Sequence, residues 1–96
     1  MLVIVTYDVS TSDKKGATRL RRIAKECVNY GQRVQNSVFE CLIDYGTFIK
    51  LKFKLLDIMD NDNDSIRFYL VGNNYQNKVE SYGIKKDYSM DDPLIF

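Results

Sequence analysis

The sequence predicts an α+β fold in which strands and helices alternate around one small sheet. Residues 2–7 form an unbroken run of β-branched and aromatic side chains, which is typical of a central strand covered on both faces. Apolar residues then recur at three- and four-residue steps up to position 27, as on one face of a helix. The chain has 96 residues, enough for a single domain with a modest core.

The first half of the chain divides into a strand, a helix and a pair of strands. Asp8 ends the first strand, and Ser12 is expected to cap the helix that follows. The amphipathic pattern of this helix stops at Gly31, where a glycine is a common helix terminator. Residues 32–44 indicate two short strands connected at the polar pair Asn36–Ser37.

The second half begins with a stretch that fits two patterns. Residues 46–60 alternate in part like a strand, but their apolar positions also fit a helical face. Because the stretch contains no turn signal and is too long for a typical strand, we favour a helix. A polar loop at 60–64 follows, then a strand over 65–71 that ends at Gly72, and residues 78–86 alternate like one more strand.

This order is the ferredoxin-like βαββαβ arrangement with an additional C-terminal strand. We expect one domain over 1–96, made of a core (1–72) and a C-terminal strand and tail (73–96). The central strands are expected to be parallel, with both helices on one face of the sheet. The other face, expected to carry Tyr7, would then expose a large apolar patch, which predicts a homodimer packed through the sheet faces.

The composition excludes several classes of site. The sequence contains no histidine, which removes His-based acid–base catalysis and His-ligated zinc or haem. Cys27 and Cys41 form no C-x-x-C motif, so a zinc or redox site has almost no support. Both cysteines lie among apolar residues and are expected to fill the core as reduced thiols.

No membrane association is expected. No apolar run approaches the length of roughly 18 residues that spans a bilayer. The first residues lack the basic segment and the small-residue cleavage site of a signal peptide. We therefore expect a cytoplasmic protein.

Positive charge is concentrated between Ser10 and Arg33, although the net charge of the whole chain is only +1. This segment contains seven basic residues against two acidic ones. Doubled by a two-fold axis, it would form a track for phosphate groups. A merely solvated helix face is the alternative. Arg33 could clamp a phosphate or pair with Glu40 on the adjacent strand.

Asp8 is a candidate metal ligand because it is a carboxylate at a strand end beside the basic segment. Mg²⁺ prefers oxygen ligands, often one or two carboxylates together with water and phosphate. One aspartate per chain is too few, but two copies of Asp8 facing each other across a dimer axis would suffice. Alternatively, Asp8 caps the following loop through the amides of Ser10 or Thr11. Ser10 could likewise orient a ligand water or only bond its own backbone.

Four blocks of the sequence, in this order, resemble the CRISPR-associated Cas2 family. They are Val3–Asp8, Arg21–Lys25 with Tyr30–Gly31, Gly31–Glu40, and Asp64–Tyr69. The resemblance covers residues 1 to about 72, and the ending Asp92–Phe96 resembles the tail of members from subtype I-C systems.

The resemblance implies roles for individual residues. Asp8 would bind Mg²⁺, with Mn²⁺ as a possible substitute, and Tyr7 and Ser10 would adjoin it as catalytic neighbours. The basic segment and the resemblance together give the residues that we expect to contact nucleic acid. They are Lys14, Lys15, Arg19, Arg21, Arg22, Arg33 and Phe39. The residues expected to dock on a partner subunit are Pro93, Leu94, Ile95 and Phe96.

The resemblance also implies two functions. One is a Mg²⁺-dependent endonuclease of spacer acquisition, a homodimer that cleaves double-stranded DNA, single-stranded RNA or both. The other is a non-catalytic DNA-binding scaffold that bridges integrase dimers, with the tail docked on the integrase subunit. A toxin ribonuclease of similar fold is a distant third possibility.

Overall fold

The computed structural model describes residues 1–10, 14–72 and 78–84, which contain five strands and two helices. In chain order these are β1 (Leu2–Asp8), α1 (Lys14–Val28), β2 (Gly31–Gln35), β3 (Val38–Leu42), α2 (Tyr45–Ile58), β4 (Ser65–Val71) and β5 (Lys78–Gly83). The expected ferredoxin-like order and the additional strand β5 are both confirmed.

The strands form one sheet in the order β2-β3-β1-β4-β5, and every neighbouring pair is antiparallel. The prediction of parallel central strands is therefore wrong. Each helix connects two strands that run in the same direction but lie two positions apart, because α1 crosses over β3 and α2 crosses over β1. The strand between each parallel pair runs the opposite way.

The core lies between the two helices and one face of the sheet. Alternate residues of β1 (Val3, Val5 and Tyr7) are buried, and the residues between them are only half-buried. Tyr7 therefore points into the core, and its predicted place on the open face is wrong. The reason is the period of two along a strand, which puts Tyr7 on the same face as Val5.

Aromatic rings connect α2 to the sheet. The Phe48 and Phe68 ring centroids lie 5.4 Å apart, and those of Phe68 and Tyr82 lie 6.1 Å apart, both pairs in edge-to-face geometry. Cys27 and Cys41 are buried free thiols, as expected. Burial raises the pKa of both thiols, so they act as inert apolar side chains.

The helix predicted over 46–60 is confirmed as α2, whereas α1 is shorter than expected. It ends at Val28, and Gly31 is the first residue of β2 instead of the helix terminator. A Cβ at position 31 would lie 2.0 Å from the Glu40 carbonyl oxygen, so this glycine permits the close approach of β3. The predicted Ser12 cap lies outside the described residues.

The face of the sheet away from the helices carries apolar residues that the described part of the chain covers only in part. Leu2 pairs with Leu42 and Val71, and Ile4 pairs with Tyr69, which places these side chains side by side on that face. Leu42 is 79% exposed. Neither described helix is long and apolar enough to cross a membrane.

The buried position of Phe68 predicts a large effect of truncation. Phe68→Ala should lower the free energy of unfolding by about 3–5 kcal/mol, because it removes a fully buried ring that packs between Phe48 and Tyr82. Urea unfolding at one fixed protein concentration measures this. Phe53→Ala is the matched control, since Phe53 is 63% exposed and its loss should change the free energy little. Equal losses in the two variants would contradict this account of the core.

Candidate functional site

Asp8 is the last residue of β1 and lies opposite Ser65 at the start of β4. Its side chain is exposed, although those of Val3, Val5 and Tyr7 on the same strand are buried. The sequence-predicted ligand therefore stands at one end of the sheet, where β1 leaves toward α1. This position leaves its carboxylate accessible to a cation from solution.

A second carboxylate, Asp64, lies beneath this strand end and is completely buried. Its two oxygens receive hydrogen bonds from two side chains and two backbone amides. The donors are Tyr7 Oη and Arg19 Nε (2.6 Å) to Oδ2, Arg19 Nη2 (3.1 Å) to Oδ1, the Ser10 amide (3.1 Å) to Oδ1 and the Asp60 amide (3.1 Å) to Oδ2. We call Tyr7, Arg19 and Asp64 the buried triad.

The triad keeps Asp64 ionised and Tyr7 protonated. Burial by itself would raise the pKa of the Asp64 carboxyl, but hydrogen bonds from Arg19, Tyr7, Ser10 and Asp60 outweigh it and hold the pKa below its ordinary value. Burial first, and then the hydrogen bond to Asp64, raises the pKa of the Tyr7 phenol. A protonated, buried phenol that donates to Asp64 has a structural role, so the geometry does not support the catalytic role expected for Tyr7.

The backbone after Asp8 is held by the same carboxylate. The Ser10 amide donates to Asp64, which gives Ser10 a backbone role in this structure. Gly16 in α1 lets this segment lie against the helix, because a Cβ there would come within 2.4 Å of the Ser10 carbonyl oxygen. Asp8 is therefore held on both sides, by Tyr7 before it and by Ser10 after it.

Asp8 offers Mg²⁺ one exposed carboxylate at this end of the sheet. Both oxygens of the nearby Asp64 already accept hydrogen bonds, so Asp64 is not available as a ligand. Within residues 1–10, 14–72 and 78–84 no group of three or more metal-binding side chains comes together. The hard carboxylate oxygens of Asp8 suit Mg²⁺, but one carboxylate does not complete a site and needs further ligands.

Five of the seven basic residues in the basic segment lie on the exposed side of α1. Lys14, Arg21 and Lys25 are spaced seven and four residues apart, which places them on one stripe of the helix. Lys15 and Arg22, seven residues apart, form a neighbouring stripe, and all five side chains are exposed. We call these five residues the α1 basic face.

Arg33 lies next to this face. It lines a shallow groove between α1 and β2 together with Arg21 and Lys25. Its guanidinium donates to the carbonyl oxygen of Asn36 (2.8 Å from Nε) and lies 5.6 Å from the Phe39 ring centroid. Of the two expectations for Arg33, the ion pair with Glu40 is replaced by this bond to the β2–β3 turn.

Two of the residues expected to contact nucleic acid are buried instead. Arg19 is 9% exposed, and its guanidinium is turned inward to Asp64. Phe39 is completely buried, because alternation along β3 points it toward the helices. Neither side chain is presented to a ligand at the surface. The expected docking residues Pro93, Leu94, Ile95 and Phe96 lie outside the described residues.

A model of the CRISPR-associated protein Cas2 family matches residues 1–79 of the chain. The chain belongs to the Cas2 family. It is 54% identical to the CRISPR-associated endonuclease Cas2 of Halalkalibacterium halodurans over the full length of both proteins. It is also 55% identical to the CRISPR-associated endoribonuclease Cas2 of Nitratidesulfovibrio vulgaris, over 99% of this chain and 93% of that protein.

Solved structures support the same assignment for this Cas2 family member. A crystal structure of Streptococcus pyogenes Cas2 at pH 6.5 superposes with a TM-score of 0.72 at 57% sequence identity, covering 77% of this chain and 89% of that one. A hypothetical protein of Thermus thermophilus, TT1823, superposes with a TM-score of 0.64 at 33% identity, covering 78% and 85%. The resemblance expected from the four sequence blocks is confirmed, and the expected class, a nuclease, agrees with the relatives' names.

Sequence reasoning missed Asp64 and misplaced Arg19. Asp64 begins the fourth block of the resemblance, but the sequence predicted no role for it, because an aspartate at the end of a polar loop gives no sign of burial. A signal for Arg19 did exist: it stands four residues before Ile23 and eight before Cys27, on the apolar side of α1. A lone arginine on that side predicts a buried carboxylate partner.

The buried triad makes the free energy of unfolding depend on pH in the acid range. At about pH 7, Asp64→Asn should cost about 3–5 kcal/mol of unfolding free energy, because Arg19 is left buried without its counter-charge. Since the pKa of Asp64 is lowered in the folded chain, its stabilisation is fully present above the ordinary value of 3.8 and is lost as the pH falls through the lower folded value.

The difference in unfolding free energy between the parent chain and Asp64→Asn should therefore shrink in strong acid. Urea unfolding of both proteins over a pH series that begins near neutrality and extends below 3.8 measures it. A difference that stays constant across that range would contradict an ionised Asp64 in the folded state.

Proposed function

We propose that this Cas2 family member is a metal-dependent endonuclease in which two copies of Asp8, one from each subunit of a homodimer, hold one Mg²⁺ ion. The supporting observation is the exposed Asp8, positioned at a strand end by Tyr7 and Ser10, in a chain whose described residues bring no group of three or more metal-binding side chains together. Mn²⁺ has the same preference for oxygen ligands and is a plausible substitute.

The face of the sheet away from the helices, which the described residues cover only in part, supports the homodimer. Leu2, Ile4, Leu42 and Tyr69 lie side by side there, and apolar patches of this kind mark interfaces. Asp8 shares its face of β1 with Ile4, because residues four apart on a strand point the same way. When two such faces pack together about a two-fold axis that runs along β1, both copies of Asp8 lie at the same end of the interface.

The chemistry proposed is hydrolysis of a phosphodiester bond. When bound, Mg²⁺ supplies Lewis acidity, neutralising phosphate charge and activating water for attack. The chain contributes the Asp8 oxygens that hold the cation, and the α1 basic face with Arg33 binds the flanking phosphates. The absence of histidine means that acid–base work at this site falls to water and carboxylate groups.

We propose that duplex DNA and single-stranded RNA are both candidate substrates. The Halalkalibacterium halodurans relative is named an endonuclease, and the Nitratidesulfovibrio vulgaris relative is named an endoribonuclease. The α1 basic face binds phosphates, which both nucleic acids carry, and therefore does not by itself select between them.

A scaffold in spacer integration is the second proposal. The α1 basic face offers five exposed cations along a helix of 15 residues, enough to retain DNA whether or not it is cleaved. In this role the dimer bridges integrase dimers, and residues 93–96 dock on the integrase subunit. Deletion of residues 93–96 should then abolish co-purification with that subunit.

Replacement of the proposed ligand should abolish cleavage. Asp8→Asn should lower the rate of Mg²⁺-dependent hydrolysis of labelled duplex DNA and RNA by at least about 100-fold, since even an outer-shell partner of a metal can be worth that much. A chelator should do the same to the parent chain. Asp57→Asn, which changes an exposed carboxylate of α2, is the matched control and should cleave normally. Cleavage by Asp8→Asn at the parent rate would overturn the proposal.

The basic face should set the salt dependence of nucleic-acid binding. The double variant Arg21→Ala, Lys25→Ala should weaken binding of non-cleavable DNA and reduce the slope of log K against log salt by about 2, because two phosphate contacts are lost. Fluorescence anisotropy over a salt series measures this. Lys50→Ala and Lys54→Ala together remove the same charge from α2 and serve as the control. Equal effects of the two pairs would indicate bulk charge instead of a defined face.

A further inference from the structure

Asp64 sits where five donors from four parts of the chain meet. They come from the end of β1 (Tyr7), the segment after it (Ser10), α1 (Arg19) and the loop between α2 and β4 (Asp60). A carboxylate is the only side chain of this size whose two oxygens can both accept hydrogen bonds. An asparagine would turn an NH₂ group toward some of these donors.

The loop that carries Asp64 is itself firmly held. The Asp64 amide donates to the Asp60 carbonyl oxygen (2.8 Å), and the Asn63 side chain donates to the Asp60 carboxylate (2.8 Å). The Asp64 carbonyl oxygen accepts from the Ile84 amide (3.0 Å) at the end of β5. Because these bonds hold Asp64 independently of Tyr7 and Ser10, it provides a fixed point for the segment that contains Asp8.

Asp8 is the one residue of this segment that the structure leaves exposed at the strand end while its neighbours are tied inward. The residue before it is bound through its phenol, and the residue two positions after it is bound through its amide, both to Asp64. The Tyr7 amide also donates to the Ser37 carbonyl oxygen (2.9 Å). Small displacements of either neighbour would move the Asp8 carboxylate.

We infer that Asp64 is a positioning residue for the metal site, which fixes Asp8 through Tyr7 and Ser10 so that its carboxylate is preorganised to bind a divalent cation. This inference rests on the proposed function of Asp8. Outer-shell partners that orient a ligand through hydrogen bonds commonly contribute about 10–100-fold to metal affinity. Asp64 acts one step further back, through the phenol of Tyr7 before the ligand and the backbone amide of Ser10 after it.

The test is a Mn²⁺ titration of the purified full-length chain, followed by the electron paramagnetic resonance signal of free Mn²⁺. Asp64→Asn should raise the Mn²⁺ dissociation constant by about 10–100-fold at a temperature where the variant is folded. Glu80→Gln is the matched control, because Glu80 also accepts from a cation and a phenol, Lys52 and Tyr82, but on β5. It should bind Mn²⁺ as the parent chain does.

Amide hydrogen exchange of the metal-free chain gives a readout that does not depend on cleavage. Exchange at Ser10 should be faster in Asp64→Asn than in the parent chain, while exchange in the α2 interior stays protected. A role in stability alone would lower the melting temperature without changing Mn²⁺ affinity or selectively exposing Ser10.

A milder variant keeps the inference testable if Asp64→Asn does not fold. Tyr7→Phe removes the hydrogen bond from the phenol to Asp64 and leaves the Arg19–Asp64 ion pair in place. It should weaken Mn²⁺ binding in the same direction by a smaller factor. Parent-like affinity in folded Asp64→Asn, or in Tyr7→Phe where Asp64→Asn does not fold, overturns the inference.

Asp8→Asn separates the inference from the proposed function. Loss of Mn²⁺ binding in Asp8→Asn together with parent-like binding in Asp64→Asn would overturn only the positioning role. Parent-like binding in Asp8→Asn would overturn the metal site itself and the positioning role with it.

Discussion

The ion pair between Arg19 and Asp64 is the constraint on which the described site depends. A buried carboxylate is costly unless its charge and its lone pairs are satisfied, and here Arg19 supplies the charge while Tyr7, Ser10 and Asp60 complete the hydrogen bonds. The same bonds join the end of β1 to α1 and to the loop before β4. The buried hydrogen bonds of Asp64 therefore also hold the two residues that flank Asp8.

Two aspartates at the same end of the sheet have different environments. Asp64 is saturated with hydrogen bonds and points inward, so it serves the fold. Asp8 lies at the strand end and is exposed to solvent. The alternation of β1 buries Tyr7, which donates to Asp64, and exposes Asp8 at the next position.

The basic residues of the chain divide in a similar way. The α1 basic face follows the exposed side of the helix, whereas Arg19 lies on the side that packs against the sheet. Arg33 is between these cases, since it lines the groove beside α1 but also holds the β2–β3 turn through Asn36. Position on the helix or strand, more than residue type, decides which cationic side chains are exposed at the surface.

The sequence by itself determined the order of elements, the helix at α2, the burial of both thiols and the position of Asp8 at a strand end. Periodicity and strand ends are local properties of the chain. It did not determine the antiparallel centre of the sheet, the inward direction of Tyr7 or the burial of Arg19 and Phe39. Those depend on which strand lies beside which and on which face the helices cover. Asp64 is the clearest case: its partners Tyr7, Ser10 and Arg19 lie 45 to 57 residues away in the chain, so only the tertiary structure brings them together.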